Sequence, residues 1–106
     1  MDRNVVLQAL GGRMVIQIIY GGGGPRIIQP HAIIRKADGT ELLEAYQVSG
    51  HTEGGREHGW KNFDLARIDH AELCSETFEP RRDFRPVSGA SGVVVAQVKS
   101  DAAVNC

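Results

Sequence analysis

The run Met14-Val15-Ile16-Gln17-Ile18-Ile19-Tyr20, halted by Gly21-Gly22-Gly23-Gly24-Pro25, constrains the fold of this chain more than any other segment. Val15, Ile16, Ile18 and Ile19 are branched at Cβ, which stiffens χ1 and favours the pleated surface of a strand. Its length is close to the commonest strand length of ~5–6 residues. Period-two alternation puts Met14, Ile16, Ile18 and Tyr20 on one face. The pattern then recurs. Arg26 to Lys36 reads as a second strand, interrupted by Pro30, whose missing N–H marks an edge or a bend. Asp38-Gly39 is a strong hairpin signal between Ile33-Ile34 and Leu42-Leu43. Thr40 to Val48 reads as a third strand ending at Ser49-Gly50, Trp60 to Leu65 as a fourth and Ile68 to Cys74 as a fifth. Leu65-Ala66-Arg67 is too short for a helical crossover, so this last pair is expected to be antiparallel.

Regular short strands without long helices define an all-β barrel or sandwich, and a chain of 106 residues suits a single domain built as a five-stranded, partly open barrel. That domain is expected over residues 13–84. Residues 1–12 form an N-terminal segment in which Asn4 to Leu10 fits either a short helix, capped by Asn4 and stopped by Gly11-Gly12, or an edge strand. His51 to Gly59 is a polar loop. Beyond Phe78 the chain becomes extended and charged, and residues 85–106 read as a tail. Within it, Ser88-Gly89-Ala90-Ser91-Gly92 has the composition of a mobile linker, and Val93 to Val98 either pairs as a last strand or stays a sticky segment. Cys106 is expected to be free.

Charge narrows the function classes. Twelve Lys and Arg stand against 13 Asp and Glu, so no global basic field favours tight nonspecific binding of nucleic acid, and an anion site must come from local clustering. No stretch approaches the ~20 apolar residues of a membrane span, and the N-terminus lacks the apolar run of a signal peptide. Two cysteines, Cys74 and Cys106, are too few for a disulfide framework. A reducing, cytoplasmic setting without membrane association follows as the expectation.

The order of residues along these strands resembles the WYL domain, a bacterial ligand-sensing module with an Sm/SH3-like barrel fold. In that family a strand ends in Tyr, a short turn leads to Arg, Pro follows a few residues on, and a Gly turn precedes the naming strand. Arg-x-Phe-x-Leu-x-Arg-Ile closes the pattern. Tyr20, Arg26, Pro30 and Gly39 occupy the first four positions here, and Lys61, Phe63, Leu65, Arg67 and Ile68 the closing motif, with Lys replacing its first Arg. The Trp-Tyr-Leu triplet falls on Glu41-Leu42-Leu43, so only the leucine is kept. Small stand-alone relatives of the family carry Pro-His, Ala-Tyr-Gln and Gly-Trp-Lys, matched by Pro30-His31, Ala45-Tyr46-Gln47 and Gly59-Trp60-Lys61, with Phe78 and Pro80-Arg81 after them. The likeness runs from Met14 to Phe84. It implies a regulatory sensor in which cations at strand ends line a pocket for a nucleotide or the end of a single-stranded nucleic acid, with output through a protein partner or self-association. Larger WYL proteins place a winged helix-turn-helix before the barrel and regulate transcription; these residues leave no room for one, so DNA reading by that route is not expected.

The candidate ligand-binding residues are Tyr20, Arg26, His31, Tyr46, Lys61 and Arg67. Arg26, Lys61 and Arg67 sit at strand ends, where sites are usually built; arginine offers a fork for phosphate and lysine a point charge. The competing reading pairs Lys61 and Arg67 with Asp64 or Asp69 on the surface. Tyr20 and Tyr46 could bring hydroxyls to a pocket rim or stack on a base, whereas Trp60 is expected in the core with its N–H on a carbonyl. His31, restrained by Pro30, could hydrogen-bond within the pocket. His31, His51, His58 and His70 with Glu53 and Glu57 match no structural zinc spacing, so no metal or other cofactor is expected. The Gly21–Gly24 run lacks Gly-Lys-Ser/Thr and reads as a hairpin tip, though its N–H groups could receive an anion beside Arg26. Neither Ser49 nor Ser75 has an evident His/Asp arrangement, and Cys74 lies mid-strand without electropositive neighbours, so an enzyme is not expected. The alternative to a ligand sensor is a protein-interaction barrel that adds a partner's strand to a sheet edge.

Overall fold

The computed structural model describes residues 3–52, 58–84 and 92–98. One helix, α1 (Arg3–Gly12), precedes five strands, β1 (Met14–Tyr20), β2 (Pro25–Arg35), β3 (Glu41–Gly50), β4 (Gly59–Asp64) and β5 (Ile68–Thr77), and a sixth, β6 (Val93–Gln97), follows. All pairings are antiparallel in the order β4-β3-β2-β1-β5, with β6 added to β2. The result is a small, mostly β, partly open barrel. Val93–Gln97 thus pairs as a strand, and the expected linker at residues 88–91 and free Cys106 lie outside the described residues. No helix among the described residues is long and apolar enough to cross a membrane.

Residues 3–12 are helical, so Asn4 lies inside α1 rather than capping it. The helix also runs through Gly11-Gly12 and stops at Arg13, which takes the left-handed conformation (φ 53°) that a C-terminal glycine usually supplies. The Arg13 carbonyl then accepts from Phe78 N–H at 2.9 Å, joining the helix end to the chain leaving β5. Val6, Ala9 and Leu10 enter one core with Ile16, Ile18, Ile28, Ile33, Leu43 and Phe63.

Pro30 lies in a central strand, not an edge. On one flank β2 pairs with β1 through residues 25–28 and with β6 through residues 32–35, and Pro30 falls in the interval between them. On the other flank the register to β3 shifts between Pro30 and Ala32. The bend expected from proline therefore sits where one partner hands over to the next. Because directly opposed residues share a face, the register places Ile16, Ile18, Arg26, Ile28, Leu43, Ala45, Gln47, Lys61 and Phe63 on the core side of the sheet. The ladder does not close between β4 and β5, so the antiparallel pair expected across Leu65-Ala66-Arg67 does not form; β4 lies on β3 and β5 on β1, at opposite ends of the sheet path. Tyr20 bridges part of that gap, its ring edge-on to Phe63 at 4.9 Å and its hydroxyl accepting from Asp64 N–H at 3.0 Å.

Candidate functional site

Three of the six expected site residues converge. Tyr20 ends β1, Arg26 lies at the start of β2 and Arg67 closes the 3-10 turn Leu65–Arg67 between β4 and β5. The guanidinium carbon of Arg26 lies 5.5 Å from the ring centres of both Tyr20 and Phe63, and that of Arg67 lies 5.1 Å from Tyr20. Both distances are within reach of a cation–π attraction, worth about 0.5–2 kcal/mol depending on desolvation. Tyr20 is thus a platform shared by two arginines, its hydroxyl held by the Asp64 backbone rather than offered to a rim.

The two arginines differ in exposure. Arg67 is exposed, while Arg26 is only 5% exposed. Among the described residues neither makes an ion pair. Arg26 Nη1 donates to Gln47 Oε1 over a long 3.4 Å, and Arg26 Nε is buried with no acceptor. A buried guanidinium N–H without a partner is unfavourable by roughly 1–3 kcal/mol, so this end of the core side is primed for an oxygen acceptor.

Gln47 was not anticipated as a functional residue. It is fully buried, and its Nε2 donates to Ser49 O (3.2 Å) and His51 O (2.8 Å). Those two bonds fix which way the amide points and leave Oε1 toward Arg26. The available signal was a polar residue in the inward series Leu43, Ala45, Gln47. Lys61 shares that face: it opposes Ala45, one pleat from both Phe63 and the Gln47 pair. Lys61 also borders a shallow cleft of about 280 Å³ with Glu44, Trp60, Asn62, Asp83 and Phe84.

The glycine turn is not an anion cradle over most of its length. Gly21 N–H donates to Arg67 O, Gly22 N–H to the Asp69 carboxylate and Gly23 N–H to Tyr20 O. Its glycines serve packing instead. Gly21 has φ +57°, and a Cβ there would lie 3.0 Å from Arg67 Nη2, so the bare backbone lets Arg67 fold over Tyr20. His51 rests on Gly23, where a Cβ would come within 2.8 Å of its ring.

His31 and Tyr46 belong to a second cluster, apart from the arginines. His31 is fully buried; its Nδ1 lies 2.8 Å from Gln29 O, and its Nε2 accepts from Arg81 N–H at 3.0 Å. A ring that accepts at Nε2 carries its proton on Nδ1, so it is neutral. Burial, the main cause, pushes its pKa down, and the Arg81 charge adds to this. Phe78 and Phe84 pack on the ring at 5.2 and 5.1 Å, and Trp60 meets it edge-on at 4.8 Å. Arg81 lies over Tyr46 at 3.3 Å and donates from Nε to Gln29 Oε1. Residues 78–84 therefore form a strap across the outer side of β2, β3 and β4, held by His31 and Tyr46. Trp60 is on that outer side, 38% exposed, its indole N–H on the Asp83 carboxylate at 2.9 Å rather than on a carbonyl in the core.

Among the described residues no three His, Cys, Asp or Glu side chains come together as metal ligands. Cys74 is half-buried, and burial with Glu76 and Glu72 nearby pushes its pKa up, the reverse of what a reactive thiolate needs. Comparison with protein-family models, curated proteins and solved structures found no match.

Proposed function

We propose that this chain is a WYL-like ligand-binding domain that recognises an anionic ligand, a nucleotide or the end of a single-stranded nucleic acid, through Arg26 and Arg67 on the Tyr20 platform. One observation carries the reading: a buried guanidinium with an unpartnered Nε and a second, exposed guanidinium both lie within 5.5 Å of the Tyr20 ring centre, with no ion pair to either among the described residues. Like charges held together are unfavourable until an anion joins them, which is why such clusters mark sites. The motif order from Tyr20 to Ile68 supports the family part of the proposal. In this reading the domain works in the cytoplasm, and a protein partner or a second copy passes on the bound state to regulation. His31 and Tyr46 act through the strap rather than by touching ligand.

The test is titration of short single-stranded RNA and DNA at two salt concentrations, because phosphate contacts release counterions and weaken with salt. Arg26→Gln and Arg67→Gln should each weaken binding and flatten the salt dependence. Binding unchanged in both variants would remove the arginines from the site and favour the interaction-barrel alternative.

A further inference from the structure

We infer that the strap is an acid-released latch: a proton on His31 Nε2 breaks the backbone bond from Arg81 and frees residues 79–84 from the outer side while the barrel stays folded. The inference is independent of the arginines at Tyr20. One end of the strap is fixed. Phe78 is buried in the core cluster, and its N–H donates to Arg13 O at 2.9 Å. Beyond Phe78 the hold comes from side chains on the outer side of β2, β3 and β4. Arg81 N–H donates to His31 Nε2 at 3.0 Å, Arg81 Nε donates to Gln29 Oε1 at 3.0 Å, and the guanidinium covers the Tyr46 ring. The Asp83 carboxylate accepts from the Trp60 indole at 2.9 Å, and Phe84 packs on His31 and Trp60. Gln29, His31, Tyr46 and Trp60 all lie outside the core cluster, and Glu79, Arg82 and Asp83 are exposed. The segment can therefore lift without unfolding the sheet beneath it.

With its Nδ1–H on Gln29 O, His31 has Nε2 free to accept from Arg81; a second ring proton sets two donors against each other across 3.0 Å. The charges that act on the ring are both on the strap. The Arg81 guanidinium opposes the proton, and the Asp83 carboxylate, already engaged by Trp60, favours it. From the barrel, β2 presents the Gln29 carbonyl, which also favours the proton, and β4 the uncharged Trp60 ring. Phe78 presents another neutral ring, and Val98, whose N–H donates to His31 O, brings no charge. Tyr46 of β3 lies beneath Arg81, while Glu44 and Lys61, of opposite sign, line the cleft with Trp60. Burial outweighs the favourable groups and keeps the ring neutral. Lifting the strap takes Arg81 and Phe84 off the ring and admits water, so the released state binds its proton near the ordinary value of 6.5. The closed strap is thus favoured above that value and loses ground as pH falls below it.

Hydrogen exchange of the Arg81 amide, followed by NMR on the whole chain and corrected for the pH dependence of exchange itself, reads the release directly. At pH 7.5 and at pH 5.5 Arg81 should be less protected than the Ile16 and Ile18 amides of β1. Between the two pH values its protection should fall, by up to about tenfold, the ceiling for one proton bound near 6.5. The His31 ring should titrate below 6.5 in the same spectra. In His31→Gln, whose amide oxygen can accept the same bond, the fall should vanish, which separates His31 from the exposed His51, His58 and His70. Phe84→Ala leaves His31 in place and serves if that variant does not fold: Arg81 protection should drop at both pH values, and the His31 midpoint should move up toward 6.5. Arg81 protection equal to that of β1 means that the strap leaves only with the whole barrel. Protection that is the same at both pH values, or that falls equally in His31→Gln, takes the proton away from His31. Each of these results overturns the latch.

Discussion

Replacing Gln47 by leucine tests whether a buried amide sets the arginine site. Leucine fills a similar volume but removes three hydrogen bonds: Arg26 Nη1 to Oε1, and Nε2 to Ser49 O and His51 O. Ser49 and His51 are exposed, so water can reach their carbonyls, and each lost bond should cost about 0.5–1 kcal/mol. Arg26 is 5% exposed, so its Nη1 joins Nε as a second unsatisfied charged donor, at a further cost of about 1–3 kcal/mol. The apolar side chain recovers about 1 kcal/mol by burying more hydrocarbon. The net expectation is a loss of about 2–3 kcal/mol, a fall in Tm of roughly 10–20 °C for a domain of this size. Urea unfolding at pH 7.5 measures it away from the histidine range, and ligand titration below the new midpoint measures the site. The folded variant should bind the RNA and DNA probes more weakly than wild type, because its guanidinium is no longer oriented. A stability loss under about 0.5 kcal/mol together with unchanged binding would refute this account of the amide.

Gly21→Ala should weaken anion binding while leaving most of the stability, since the added Cβ sits 3.0 Å from Arg67 Nη2 at a left-handed φ; calorimetric titration beside a thermal melt separates the two effects. The His31 pKa is lowered in the folded state, so the neutral ring contributes stability that is full above its unfolded value near 6.5 and is lost as pH falls toward the folded value. Urea unfolding from pH 7.5 to 5 should show that decline, and His31→Gln should flatten it; the lowered Glu41 and Asp38 values act at more acid pH, below their ordinary values of 4.5 and 3.8. Phe84→Ala should loosen the strap, shift the fluorescence of Trp60 to longer wavelength and speed tryptic cleavage after Arg81 and Arg82, all without abolishing anion binding. Glu41→Gln removes the carboxylate shared by Arg3 and Arg35 and should cost about 0.5–1 kcal/mol at low salt and less at high salt, measured by urea unfolding.

The barrel was legible because its signals are local. Val15 to Ile19 read as a strand from branching alone and Asp38-Gly39 fixed a hairpin, but the short Leu65–Arg67 link misled: it joins two strands that lie on different partners, β4 on β3 and β5 on β1. What escaped depends on partners distant in sequence. Asn4 and the two glycines carry helix-boundary propensities of about 1 kcal/mol, which the docking of Val6, Ala9 and Leu10 on the core outweighs. The pairing of Val93–Gln97 depends on β2 offering a free flank beyond residue 31, and that flank exists only because β1 stops pairing at Ile28.

The site divides in the same way. Arg26 and Arg67 were found from strand ends and the family pattern, and their meeting on Tyr20 requires only that β1 be flanked by β2 and β5, as Ile18 opposite Arg26 and Tyr20 opposite Ile68 make it. Trp60 was misplaced although the period of two held the answer. Phe63 points inward and lies an odd number of residues away, so Trp60 must point outward and Lys61 inward. His31 could not be placed by that rule, because the register shift beside Pro30 breaks alternation at this residue and turns its ring toward the strap. A bulge is invisible to a pattern of apolar spacing, since it inserts a residue without altering composition. The two clusters therefore separate at one irregularity in β2: upstream of it the strand carries Arg26 on the core side, and at it the chain carries a neutral histidine that holds residues 78–84 on the outside. That separation lets the strap be loosened, by acid or by Phe84→Ala, without removing either guanidinium from Tyr20.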